Sequence, residues 1–254
     1  MIFLSAPLFG SKHAIGVLAV IILCVIASLF VFNKKKSVNH HRSILIFMVM
    51  FYILEIVKLT YITHSDGSFP IYQLPFHLCS FPLYLYPMMY FLKPGAFVER
   101  FVKPAAYSVV MLAGIMALAL PTNILGESVS WLPLKDNFLP ILSFIYHGLM
   151  IFSSVYLLRT GIYTVMKNDW YRAILVSFGF AAIAMTVNQL LDKDFMLLHY
   201  GNGSPLQFIN DYSHFLYVVS MLGLAVILII LNFTITHLIQ THTNRQKNNN
   251  VYAD

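Results

Sequence analysis

The chain has 254 residues, of which 59% are hydrophobic and only 10% charged, and its mean hydropathy is +0.74. Soluble domains carry roughly 25% charged residues, so this composition excludes a water-soluble globular protein. The net charge of +6 does not point to nucleic acid, because the basic residues are scattered between apolar runs and never build a stripe with interleaved exposed aromatics.

Apolar runs of spanning length fall at about 14–32, 44–63, 74–93, 101–120, 138–158, 172–191 and 212–235, each near the ~20 residues that a ~30 Å hydrocarbon core requires. They predict an all-α fold: a polytopic membrane helix bundle of about seven transmembrane helices. One domain fills 1–240, and a polar, disordered cytoplasmic tail fills 241–254. The first run has no basic leader or small-residue cleavage site and stops at Asn33-Lys34-Lys35-Lys36, so it reads as a retained span. The second contains Glu55 and Lys58. The third is irregular, because Pro75, Pro82 and Pro87 lack backbone donors and predict a kinked or partly opened helix. The fifth carries His147, the sixth Asn188 near its end, and the seventh begins around His214.

The loops after spans one, three and five, with the tail, hold Lys34, Lys35, Lys36, Arg42, Lys93, Arg100, Lys103, Arg159, Lys167, Arg172, Arg245 and Lys247. The other side has only Lys12, Lys135 and Lys193. The positive-inside rule then places the N-terminus outside and the C-terminus in the cytoplasm, as expected of a multi-pass protein of the plasma membrane. The longer connections, 121–137 and 192–211, fall on the outer side, where long loops often cover sites.

Polar groups inside the spans are the candidates for function, since in hydrocarbon they must find partners within the protein. Counted from the outer ends, Lys58 and Glu55 lie ~8 and ~12 Å deep, Cys79 ~8 Å, and His147 ~14 Å, with Asn188 and His214 within ~5 Å of the surface. Glu55 and Lys58 are three residues apart and share a helix face. They can form a packing ion pair or line a cavity. Cys24 reads as a small buried hydrophobe, whereas Cys79 has His77 beside it and His147 at a similar depth. Residues two apart on an α-helix project ~200° apart, so His77 and Cys79 form no dyad unless the helix opens, and His147 is the favoured partner. Glu55 is the only acid well inside a span and hence the candidate to orient His147. No cofactor or metal is expected, for the sequence has no phosphate-cradling glycine loop and the two cysteines do not fit a zinc site.

The run Leu74-Pro75-Phe76-His77-Leu78-Cys79, the later Tyr146-His147-Gly148, and Asn188 followed by Asp194-Phe195-Met196 and Ser204-Pro205-Leu206 together resemble the YwaF-like family of bacterial polytopic membrane proteins. That family is similar to an animal protein described as a cysteine-dependent phospholipid acyltransferase. The resemblance covers spans two to seven and implies Cys79 as acyl-carrying nucleophile, with His77 and His147 as its histidines. Asp194-Phe195 stands where Asn-Tyr or Asn-Phe is expected.

The expected function is an acyltransferase or lipase acting on membrane lipid esters through Cys79, His147 and His77, with Glu55, Lys58 and Asn188 in support. His77 or Asn188 would donate to the oxyanion. Its partners would be the bilayer and a phospholipid or lipid-like substrate. Two other classes fit parts of the same pattern. An ion-coupled transporter could use Glu55, Lys58 and the histidines, although the repeat symmetry common in carriers is missing. A non-catalytic scaffold would treat the polar set as structural.

Overall fold

The computed structural model describes residues 9–32, 38–120, 124–201, 204 and 206–251. Lys34, Lys35 and Lys36, Pro205 and the last three residues of the tail lie outside the described residues. Those described are helical throughout their regular structure: α1 (Ser11–Phe32), α2 (His40–Asp66), α3 (Phe81–Phe91), α4 (Glu99–Ala119), α5 (Phe138–Arg159), α6 (Asp169–Leu191), α7 (Gln207–Tyr212) and α8 (His214–Val251). Short 3-10 turns lie at Ile71–Gln73, Leu78–Ser80, Leu134–Asn137 and Phe195–Leu197.

Six of these helices are long and apolar enough to cross a membrane. The third predicted span is built differently. Its helix α3 has eleven residues, or ~16 Å, and is preceded by 3-10 turns and extended backbone over 71–80. Prolines account for the break. Leu74, ahead of Pro75, has φ −53 and ψ 146, the extended conformation that a following proline enforces. Pro82 sits in the first turn of α3, where its missing donor leaves no bond unmade.

The long helices alternate in direction. Tyr52 Oη donates to the Leu83 carbonyl at 2.9 Å and the His41 and Tyr90 rings lie 4.1 Å apart, so α2 and α3 run antiparallel. Ser154 Oγ donates to the Ala106 carbonyl at 3.4 Å, while Gly114 faces His147, which sets α4 antiparallel to α5. The start of α1, the 66–80 segment and the described loop residues 124–137, 192–201 and 206–213 therefore gather at one end, the site end. Arg42, Lys93, Arg100, Lys103, Arg159, Lys167 and Arg172 gather at the other, the basic end.

Helix α4 is the centre of the bundle, packed by α3, α5, α6 and α8, and Ala105, Ala106 and Val110 on it are fully buried. Gly114 lets α5 approach closely: a Cβ there would lie 2.8 Å from the His147 carbonyl oxygen. Helix α1 stands at the margin, packed on α5 where Gly148 accommodates Val20. At the C-terminus the backbone of α8 stays helical to Val251, where the sequence predicts a disordered tail from 241. Extending an existing helix needs no new nucleus, so a polar sequence can continue one.

Candidate active site

The break before α3 creates the site. His77 is extended (φ −78, ψ 160) and Cys79 lies in the turn Leu78–Ser80. Carbonyls that a continuous helix would have satisfied find side chains instead: Tyr84 Oη donates to Pro75 O at 2.9 Å and Tyr146 Oη to Cys79 O at 3.2 Å. The expectation that His77 and Cys79 face opposite ways applies to an α-helix and does not hold for this backbone. Both line one cavity.

That cavity measures about 1220 Å³, beyond the ~300–1000 Å³ usual for small-molecule pockets. Helices α2, α4, α5, α6 and α8 and the 71–80 segment enclose it. Glu55, Lys58, His77, Cys79, Ser143, His147 and Asp194 are among the polar residues of its wall, with Glu127, Lys135 and Asp136 at the outer loop. Val109, Leu112, Met116, Leu224 and Leu228 are among the residues of its apolar remainder.

Hydrogen bonds fix both histidine tautomers. His147, 6% exposed, sets Nδ1 2.7 Å from the Ser143 carbonyl oxygen. A carbonyl can only accept, so Nδ1 carries the proton and Nε2 presents a lone pair when the ring is neutral. His77 does the reverse, donating Nε2–H to the Tyr72 carbonyl at 2.9 Å and leaving Nδ1 as acceptor. Its ring is held edge-on to Phe195 at 5.1 Å.

These contacts redistribute the roles assigned to the supporting residues. Glu55 does not orient His147. Its carboxylate is paired with Lys58 at 2.9 Å, and the Ser143 carbonyl one turn earlier on α5 holds the imidazole. Asn188 is absent from the cavity wall. Its Nδ2 donates to Phe195 O at 3.0 Å and its Oδ1 accepts from Phe195 N at 2.7 Å, so both ends of the amide pin the loop after α6. The neutral His77 ring likewise has its single N–H engaged by Tyr72. With Asn188 off the cavity wall and the N–H of neutral His77 taken, neither nominated residue offers the cavity an oxyanion donor in this arrangement. His214 bonds Asn210 at the surface, Nδ1 to Oδ1 at 2.9 Å.

Sequence reasoning missed three contributors. Ser143 acts through its main chain, and only its i−4 spacing from His147 hinted at this. Tyr146 braces the Cys79 carbonyl, a long-range contact without a local signal. Asp194 accepts from the His199 backbone N–H at 2.8 Å through Oδ1, while Oδ2 is buried with no hydrogen-bond partner. Among the described residues, no group of three or more His, Cys, Asp or Glu is placed to hold a metal ion.

In comparison with known proteins, residues 8–231 match the model of the TMEM164 family. No curated protein and no solved structure matches.

Proposed function

We propose, from the fact that the chain belongs to the TMEM164 family and is a multi-pass membrane protein, that it moves acyl chains of membrane lipids through a Cys79 thioester. The observation that carries this reading is the wall of the cavity. A thiol and two imidazoles, each with one nitrogen left as an acceptor, face a large and mainly apolar space.

His147 Nε2 takes the thiol proton, and the thiolate attacks the ester carbonyl of a lipid. The carbon–oxygen bond breaks, and the departing alkoxide takes the proton back from the imidazolium. An acceptor hydroxyl then attacks the thioester, giving its proton to the same nitrogen while the thiolate leaves and is reprotonated. With water as acceptor the outcome is hydrolysis. His77 Nδ1 is a second base on the same wall, and the Lys58 ammonium, paired with Glu55, is the cation assigned to the oxyanion. The basic end belongs in the cytoplasm, so the site opens in the outer half of the plasma membrane.

The test uses the full chain reconstituted in vesicles with a phospholipid whose acyl chain carries an alkyne. A hydroxylamine-labile acyl group should appear on the Cys79 peptide and persist in Cys24→Ala. Wild-type protein that never carries such a group, or label that remains in Cys79→Ala, refutes the proposal.

A further inference from the structure

We infer that the gap between α5 and α8, floored by the half of α4 nearer the site end, is a groove that seats a lipid acyl chain and admits it sideways from the bilayer. This rests on the acyl-transfer reading and names where the substrate's hydrocarbon lies.

Helices α5 and α8 both pack on α4 without packing extensively on each other. The consequence is visible along α4. From Pro104 to Val110 the central helix is buried without interruption, but Leu112, Met116, Ala117 and Leu120 are only partly buried. Along this half one face of the helix, carrying Leu112, Met116, Ala117 and Leu120, meets a space that its neighbours do not fill, while Ala113, Gly114 and Leu118 stay buried. On the far side Leu224, Ala225 and Leu228 are partly buried and line the same cavity.

Chemistry selects the occupant. The α4 residues that line the cavity, from Val109 to Leu120, run ~16 Å along the helix axis and offer side chains with no hydrogen-bonding group. Water has no partner on such a surface, and apolar cavities of this kind stay dry or take apolar ligands. The groove is continuous with the polar wall that holds Cys79 and Lys58. One space thus has a long apolar arm and a polar head, the outline of an amphiphile whose ester sits at the head. Because the walls are membrane-spanning helices, hydrocarbon is the medium at the gap between them.

The experiment is photocrosslinking of the full chain in vesicles of phosphatidylcholine that carries a diazirine near the end of one acyl chain. Label is expected on Leu112 and Met116 of α4, which line the groove and are only partly exposed, and on Leu224, Ala225 and Leu228 of α8. Ala225→Trp should cut the α4 label by about tenfold or more, while Ile227→Trp, on an outward position of α8 that is 56% exposed, should leave it unchanged. Label confined to outward positions in the wild type overturns the groove, and this holds whether or not Ala225→Trp folds. α4 label that survives Ala225→Trp in folded protein overturns it as well. The two readings separate cleanly. Groove label without a thioester on Cys79 keeps the seat and rejects acyl transfer, whereas a thioester with no groove label does the opposite.

Discussion

The two halves of α4 use buried polar groups in opposite ways. Near the basic end two networks of such groups are matched. Asp169 is fully buried and accepts from Tyr163 Oη at 2.6 Å, Met166 N at 2.9 Å and Arg172 Nη1 at 2.8 Å. Tyr107, Ser108, Asn232 and Thr236 form a closed chain of hydrogen bonds between α4 and α8. Near the site end His77 and His147 each use one nitrogen on a carbonyl and turn the other toward a cavity. Buried polarity alone therefore separates nothing. The distinguishing mark of a site is a fixed group whose remaining valence faces empty space.

The contrast predicts that substitutions at the site end remove acylation and leave stability intact, and that those at the basic end do the reverse. The largest effect is complete loss of the hydroxylamine-labile group in Cys79→Ala, with an unfolding transition equal to wild type. His147→Ala should slow thioester formation by about 10²–10⁴-fold, the range for losing a general base. An unfolding midpoint that falls steeply in either variant would assign these residues to packing and dissolve the contrast.

At the other end, Asp169→Ala strips the partner from a partly exposed arginine, a phenol and a backbone N–H. Leaving buried donors unsatisfied costs about 1–3 kcal/mol, to be read from equilibrium unfolding in detergent or lipid. Acylation per folded molecule should not change. Tyr163, in the loop between α5 and α6, already has its hydroxyl pushed far toward the protonated form by burial and by its bond to Asp169, so it serves as a constant donor there.

Gly114→Ala sits between the two classes. The new Cβ would meet the His147 carbonyl oxygen at 2.8 Å, so α4 and α5 must separate. Overpacking of this kind costs about 1–3 kcal/mol, and because the displaced residue is His147 the thioester rate should fall with it. Lost stability with an unchanged rate would mean that the His147 side chain is not positioned by this helix contact.

The bundle was legible in the sequence because hydrocarbon imposes length and composition on each span, and the prolines at 75 and 82 announced that the third would break. What the break does was not legible. The opposition of His77 and Cys79 is a property of α-helical backbone, and the extended conformation at His77 removes it. Asn188 was nominated by depth alone, but depth does not say which way an amide points, and Phe195 supplies both of its partners from a loop seven residues on. Ser143 escaped notice since its backbone carbonyl, which every residue possesses, orients the histidine. Family membership follows from residues 8–231, while the roles within the cavity follow only from which atoms are already engaged.

The smallest predicted effect tests the filled half most stringently. Asn232 accepts from Tyr107 Oη at 3.0 Å and donates to Ser108 Oγ at 3.0 Å, joining α8 to α4 on the basic side of the groove. Asn232→Leu keeps the approximate volume and removes both bonds. Interhelical hydrogen bonds in membranes average only about 0.6 kcal/mol, since the unfolded helices find other partners in the bilayer. Tyr107 retains Thr236, so the loss should stay near that figure and acylation should be unaffected. Much larger destabilisation, with weaker acylation in parallel, would show that this polar chain sets the width of the groove above it. The two halves of α4 would then be mechanically one.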